Sequence, residues 1–360
     1  MPYRLNEKIQ NLEPYEPIKG FYRIRMDANE SYMDLPLSTH VNVVEKLLNI
    51  RFNRYPDPLA TEVRELFAAF HGLSAEQLTA SNGLDEMLFV LISAFLMKGE
   101  KLLVTAPDFT MYKFYGSLTE AQVLEFNKGE DLELDTAALI EYAQQEKPRM
   151  LIFSNPCNPT GRGLRRDEVR GIITALPETL IVLDEAYMDF WDESLILETD
   201  LYDNLIVLRT FSKAFQMAGV RLGIAVANAT LTKAIRAVKS PYNVGSLAQA
   251  TAVAVLSHPE LIKDAIAKAV SSRDYLYENT SRLAEQFTDL IQLNKTYANF
   301  VFIKSDYSRR IFEELAEKSI IVRIMGSYLR VTAGSPTENI EFLQVFEQIL
   351  KEIQDENSRA

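Results

Sequence analysis

Three short apolar runs, MLIF before Ser154, LIVL up to Leu183 and LIVL up to Leu208, end in polar residues at nearly even intervals along the chain. Each is too short for a half-wet helix and unbroken by polar residues, so each reads as a β-strand covered on both faces. Asn158 follows the first, Asp184 and Tyr187 the second, and Thr210, Ser212 and Lys213 the third. The intervals are roughly 30 residues, the size of one strand–helix–strand unit. In open α/β sheets, ligands collect outside the carboxyl ends of the strands. Polar groups at three successive strand ends suit neither a core nor a solvated face. The pattern predicts an α/β fold, a mostly parallel central sheet flanked by helices, with a ligand site along one edge.

The rest of the chain bounds that site. Its 360 residues allow roughly two domains. A net charge of −12 without a basic stripe argues against nucleic acid as a partner. Cys157 is the only cysteine, so no internal disulfide forms and a reducing, cytoplasmic compartment is expected. The first residues carry charges throughout, unlike a signal peptide. No apolar window approaches the ~20 residues that span a bilayer. His40, His71 and His258 stand apart, and no metal-ligand, P-loop or GxGxxG spacing occurs, so no metal is expected.

Residues 1–30, spaced by Pro2, Pro14 and Pro17, read as an arm joining the smaller domain. Residues 31–240 read as the large ligand-binding domain. Residues 241–360, with long amphipathic helices, a strand at TYANFVFIK and an arginine-bearing hairpin, read as a smaller α+β domain. Ser81 to Glu86 form a tight turn opening an apolar helix, and the free amides of Gly83, Leu84 and Asp85 there form a natural phosphate site.

A lysine at a strand end, flanked by hydroxyls and followed by Arg221, suits a phosphate-bearing ligand that needs an amine nucleophile. Pyridoxal 5′-phosphate, held as a Schiff base, fits. Asp184 would keep its ring nitrogen protonated, and Tyr187 and Asn158 would reach the ring oxygen. Arg221, Ser212, Thr210 and the Gly83–Asp85 turn would hold the phosphate, and Phe109 would stack on the ring. Lys213, once displaced, is free to carry a proton as general base. Cys157 has no histidine near it in sequence and reads as a packing residue.

These residues stand in stretches that resemble the fold-type-I pyridoxal-phosphate aminotransferases, and within them the histidinol-phosphate branch. The stretches are DANES (27–31), RYPDP (54–58), SNGLDE (81–86), APDFTMY (106–112), SNPCNPTG (154–161), LDEAYMDF (183–190), TFSKAFQMAGVRLG (210–223) and LRVTAG (329–334), in the family's order from end to end. The resemblance implies a transaminase moving an amino group between histidinol phosphate and 2-oxoglutarate, in which Lys213 holds the coenzyme and Asp184 pairs with its ring nitrogen. It also implies a homodimer with shared sites, Tyr55 reaching the neighbouring subunit's coenzyme phosphate. Tyr15, Asn29, Arg323 and Arg330 match substrate-side positions, the two arginines suiting a phosphate.

Two departures stand out. Gln216 replaces a small residue, and the segment between Arg323 and Arg330 is several residues shorter than usual beside the substrate's distal end. The second leaves two other activities of the scaffold open, an aromatic amino-acid aminotransferase and a threonine-phosphate decarboxylase. A non-enzymatic, coenzyme-sensing regulator would need a DNA-binding module, for which the start of the chain is too short.

Overall fold

The structure is a computed structural model that describes residues 3–359 apart from 11, 13, 15 and 17. In chain order its strands are β1 (Ile24–Met26), β2 (Leu78–Ser81), β3 (Lys101–Ala106), β4 (Gln122–Asn127), β5 (Met150–Ser154), β6 (Leu180–Asp184), β7 (Leu205–Thr210), β8 (Gly223–Ala227), β9 (Gln292–Leu293), β10 (Phe300–Lys304), β11 (Ile320–Met325) and β12 (Tyr328–Thr332). They form two sheets. One has seven strands in the order β2-β8-β7-β6-β5-β3-β4, the other five in the order β1-β11-β12-β10-β9.

The three apolar runs are β5, β6 and β7, adjacent and parallel as expected. The register sets Ser154 beside Asp184 and Asp184 beside Leu208, so the three strands stop on nearly one line. All of their residues are buried except Leu180, because helices cover both faces of the sheet. β8 alone runs antiparallel, between β2 and β7, and closes that edge.

The five-stranded sheet has its own apolar face, built by Ile24, Met26, Ile320, Val322, Leu329 and Val331 against Leu276, Leu283, Phe342 and Phe346. β1 pairs in parallel with β11 at the edge of this sheet. The helix Ser246–Leu256, grouped by sequence with the C-terminal part, instead puts Val253, Val255 and Leu256 into the same core as Phe67 and Phe211 under the seven-stranded sheet. The following helix, Pro259–Gln286, is ~42 Å long and joins that core, at Ile262, to the other, at Leu276 and Leu283. Periodicity marks a helix's apolar stripe but not which sheet it covers, which is why the sequence assigned Ser246–Leu256 by adjacency.

The shortened segment after Arg323 is a two-residue hairpin turn, Gly326–Ser327, that joins β11 to β12. Its carbonyls are tied to Ser305 and Ser308, which anchors its tip to the smaller sheet. Among the described residues no helix is long and apolar enough to cross a membrane, and no acidic, histidine or cysteine cluster could hold a metal ion.

Candidate active site

The ends of β5, β6 and β7 meet the polar face of the five-stranded sheet. Lys213 lies just beyond β7; its Nζ donates to the carbonyl of Ala28 at 3.1 Å and stands 5.8 Å over the Tyr187 ring. Burial, then the nearby Arg330 and Arg221 guanidiniums, push its ammonium down from 10.5 to about 8, against the opposing charges of Glu30 and Asp85.

Asp184 ends β6 and is buried. Tyr112 Oη donates to its Oδ2 at 2.7 Å, and the Ala186 amide donates to its Oδ1 at 3.0 Å. Burial pushes the carboxyl up to about 6, the two donors offset part of that rise, and the Asp108 and Asp85 charges add to it. A cation brought against Asp184 reverses this shift, because an opposite charge favours the carboxylate.

Tyr187 is buried, and burial raises its phenol. Asn29 Nδ2 donates to its Oη at 2.8 Å, while Thr332 Oγ1 donates to Asn29 Oδ1 at 3.1 Å. Asn29, expected on the substrate side, thus sits behind the tyrosine with its amide committed on both ends. Asn158 hangs from β5 through its backbone amide, which donates to Ser154 Oγ at 3.1 Å, and its Oδ1 accepts from Arg330 Nη1 at 2.6 Å. Arg330 also donates to the Asp27 carbonyl at 2.9 Å and lies 5.5 Å over the Phe300 ring.

The expected phosphate residues form a second group. Arg221 reaches Ser212 Oγ at 3.4 Å and Asp85 Oδ2 at 3.1 Å, and Thr210 Oγ1 accepts the Ser212 amide at 3.1 Å. Gly83 opens the helix Gly83–Phe95 with φ +79°, and a Cβ there would lie 2.8 Å from Arg221 Nη2. Gly223 completes the cradle: a Cβ on it would meet the Gly83 carbonyl carbon and the Leu84 amide at 3.0 Å. Free amides, two hydroxyls and a guanidinium therefore converge at one helix N-terminus. Gly83→Ala combines a left-handed strain of about 1 kcal/mol or more with displacement of Arg221. We expect it to lower the melting temperature and weaken coenzyme affinity at least about tenfold, both readable by calorimetry.

Phe109 is half-buried, its amide held by Asp108 Oδ1 at 2.8 Å, with its ring 5.6 Å from that of Tyr112 in an edge-on pair. Arg323 is half-buried on β11 and lies directly across from Arg330 on β12. Tyr55 is 80 % exposed and stacks on Tyr242 at 4.5 Å. Tyr15 lies outside the described residues. Cys157 is buried as expected, its Sγ 2.9 Å from Lys128 Nζ.

Sequence reasoning missed three participants. Tyr112 and Asp108 follow Phe109 and Pro107 closely, but only packing turns Tyr112 under Asp184 and lets Asp108 also take the Thr105 and Ser154 hydroxyls. Gly223 was visible as a strand-opening glycine whose partner is far away in sequence. The site fits the expected pyridoxal phosphate: a cradle for a phosphate, a buried carboxyl that a pyridinium would recharge, and an amine near pKa 8.

Comparison with known proteins agrees with this geometry. A histidinol-phosphate aminotransferase of Clostridium novyi (strain NT) is 36% identical over 340 residues, covering 93% of this chain and 94% of that protein. One of Pyrococcus furiosus is 35% identical over 351 residues, covering 96% and 98%. The crystal structure of histidinol-phosphate aminotransferase from Sinorhizobium meliloti in complex with pyridoxal-5′-phosphate superposes with a TM-score of 0.85 at 21% identity, covering 97% of this chain and 98% of that one. The family described as aminotransferase class I and II matches residues 24–346. With both the sheet topology and the sequence match extending over nearly its whole length, the chain belongs to the class I and II aminotransferases.

Proposed function

We propose that this chain is a pyridoxal-phosphate-dependent transaminase that moves the amino group of histidinol phosphate to 2-oxoglutarate, giving imidazole-acetol phosphate and glutamate. The observation that carries the substrate is the cross-strand pair Arg323 and Arg330. A carboxylate needs one guanidinium, whereas a phosphate dianion is matched by two. The relatives named above support the same choice.

The bound coenzyme supplies an electron sink conjugated to the substrate nitrogen. The chain does the rest. Lys213 would provide the amine that holds the coenzyme and, when free, would serve as the general base that moves the proton of the substrate's Cα. Asp184, aligned by Tyr112 and the Ala186 amide, holds the ring nitrogen's proton. Tyr187 and Asn158 hydrogen-bond the ring oxygen, and Phe109 covers the ring. Arg221, Ser212, Thr210 and the Gly83, Leu84 and Asp85 amides hold the coenzyme phosphate.

The working unit in this reading is a homodimer. The helix Leu37–Leu48 exposes Leu37, Val41, Val44 and Leu48 at helical spacing, and Phe52, Tyr55 and Leu247 are exposed as well. Such apolar stripes are costly in water and suit a second copy. Tyr55 would cross to the partner's coenzyme phosphate. Sedimentation of the wild type should give a dimer, and Val44→Asp a weakened one with reduced activity. A cytoplasmic location goes with this reading.

The deciding experiment is a half-reaction on the coenzyme-loaded protein, followed by absorbance. Rapid conversion with histidinol phosphate, and slow conversion with phenylalanine, is the expected result. Equal rates would make this an aromatic aminotransferase, and carbon dioxide release from threonine phosphate would make it a decarboxylase.

A further inference from the structure

Three consecutive residues before the large sheet's first helix touch the reacting groups. The Asp27 carbonyl accepts from Arg330, the Ala28 carbonyl from Lys213, and the Asn29 side chain donates to Tyr187. Two of these are backbone contacts, so the Asp27 side chain is left to point elsewhere. Alternation along β1 fixes where. Ile24 and Met26 face the apolar core, so Arg25, and Asp27 immediately after the strand, face the opposite side. Register places Arg25 beside Ile321 and Met26 beside Val322, so the chain, continued one residue past the strand, brings Asp27 level with Arg323; Arg323 in turn pairs with Arg330. The carboxylate therefore lies on the face that carries both substrate-side arginines, one residue from the carbonyl that holds Lys213.

The two oxygens of that carboxylate differ. Oδ2 accepts from Arg25 Nη2 at 3.0 Å, and the Arg25 side chain is 42 % exposed. Oδ1 is buried and has no hydrogen-bond partner among the described residues. A buried carboxylate oxygen without a donor is costly, because it has given up water and gained no partner in return. Such a group persists at a site where a ligand completes it. Arg323 and Arg330 are matched by the substrate's phosphate in the reading above, and its amine goes to the coenzyme. What remains polar in histidinol phosphate is its imidazole, whose ring N–H is a donor that a carboxylate oxygen can accept.

We propose that Asp27 is the specificity-determining residue for the substrate's ring: Oδ1 accepts the imidazole N–H while Arg25 anchors Oδ2. This rests on the reading of the site as one for an imidazole-bearing phosphate. A pocket that hydrogen-bonds a donor rejects an analogue lacking it far more strongly than shape alone can, because the analogue leaves the acceptor buried and unmet. A phenyl ring of similar size would do that here.

The test uses two ligands without an amine, so that no chemistry intervenes: imidazolylpropyl phosphate and phenylpropyl phosphate, titrated into the coenzyme-loaded dimer by calorimetry. The wild type should bind the imidazole compound about 10- to 100-fold more tightly. Asp27→Ala should bring the two affinities to within a few-fold, chiefly by weakening the imidazole compound. Asp27→Asn, which keeps the shape and one neutral acceptor, should retain an intermediate preference. Coenzyme absorbance and melting temperature identify any variant that has not folded. A preference that survives in folded Asp27→Ala, or an equal loss for both ligands, overturns the proposal and leaves the transaminase reading standing. Failure of the wild type to bind either phosphate, with no half-reaction on histidinol phosphate, overturns that reading and this proposal with it.

Discussion

Lys213→Ala should lower single-turnover transamination by at least about four orders of magnitude while the coenzyme stays bound through the proposed phosphate cradle. In the proposed function one side chain would have two tasks, attachment of the coenzyme and movement of the proton, so its removal would delete both. The lowered pKa is what fits it to each. An ordinary lysine has about one amine in 3000 unprotonated at pH 7, whereas a group titrating at about 8 has about one in ten. Only the neutral amine adds to an aldehyde. Capture of coenzyme by the apoprotein should therefore speed up about tenfold per pH unit below 8 and level off above it. Stopped-flow absorbance reads both effects. A plateau reached only above pH 10, or steady turnover by Lys213→Ala, would sink the assignment.

Asp184→Asn should cost about 10²- to 10³-fold in the half-reaction, because an amide cannot hold the pyridinium proton and the electron sink weakens. Its effect on stability runs the other way. Burial holds this carboxyl at about 6, above its value of 3.8 in the unfolded chain, so the folded apoprotein keeps a proton that the unfolded chain releases. The group's contribution is present at low pH, is lost as pH rises toward about 6, and stays lost above that. Asparagine has no such penalty and keeps the local bonds: its oxygen accepts from Ala186 and its nitrogen donates to the Tyr112 hydroxyl. The variant apoprotein should thus melt above the wild type at pH 8, with the two converging below pH 4. Coenzyme should restore the wild type's advantage, since the pyridinium recharges Asp184. Scanning calorimetry across pH, with and without coenzyme, checks each part. Asp184→Asn apoprotein that melts lower than wild type at pH 8 would mean that the carboxylate stabilises the empty fold.

Tyr112 extends the same argument. Its phenol is buried against the carboxylate that it serves, and both burial and the Asp184 charge hold its proton firmly. The network continues sideways through Asp108, which takes the Thr105 and Ser154 hydroxyls and the Phe109 amide, and through Ser154 to Asn158. Phe109 and Asn158 are thereby fixed to the same two strand ends, those of β3 and β5. Buried polar networks of this kind hold a site in one geometry when every member is paired.

Lys213, Asp184, Tyr187 and Asn158 were legible from local pattern alone. Each follows a run that can only be a covered strand, and the even spacing forces those strand ends into one row. Gly83 and Arg221 were legible as a helix start and a basic residue, but not as neighbours. Their contact depends on β8 running antiparallel beside β2, and on Gly223 having no side chain between them. Arg323 and Arg330 were legible as arginines of a hairpin, and the shortened turn that left the substrate open is what sets them directly opposite one another.

By itself, then, the sequence determined which residues end the strands, because strand burial and helix initiation are decided within a few neighbours. Tertiary structure alone decided what those residues meet. The charge states of Lys213 and Asp184, the phenol under Asp184, the glycine beside the phosphate cradle and the unpaired oxygen of Asp27 all arise between segments far apart in the chain. Desolvation and close packing act through space, and a local pattern does not carry them.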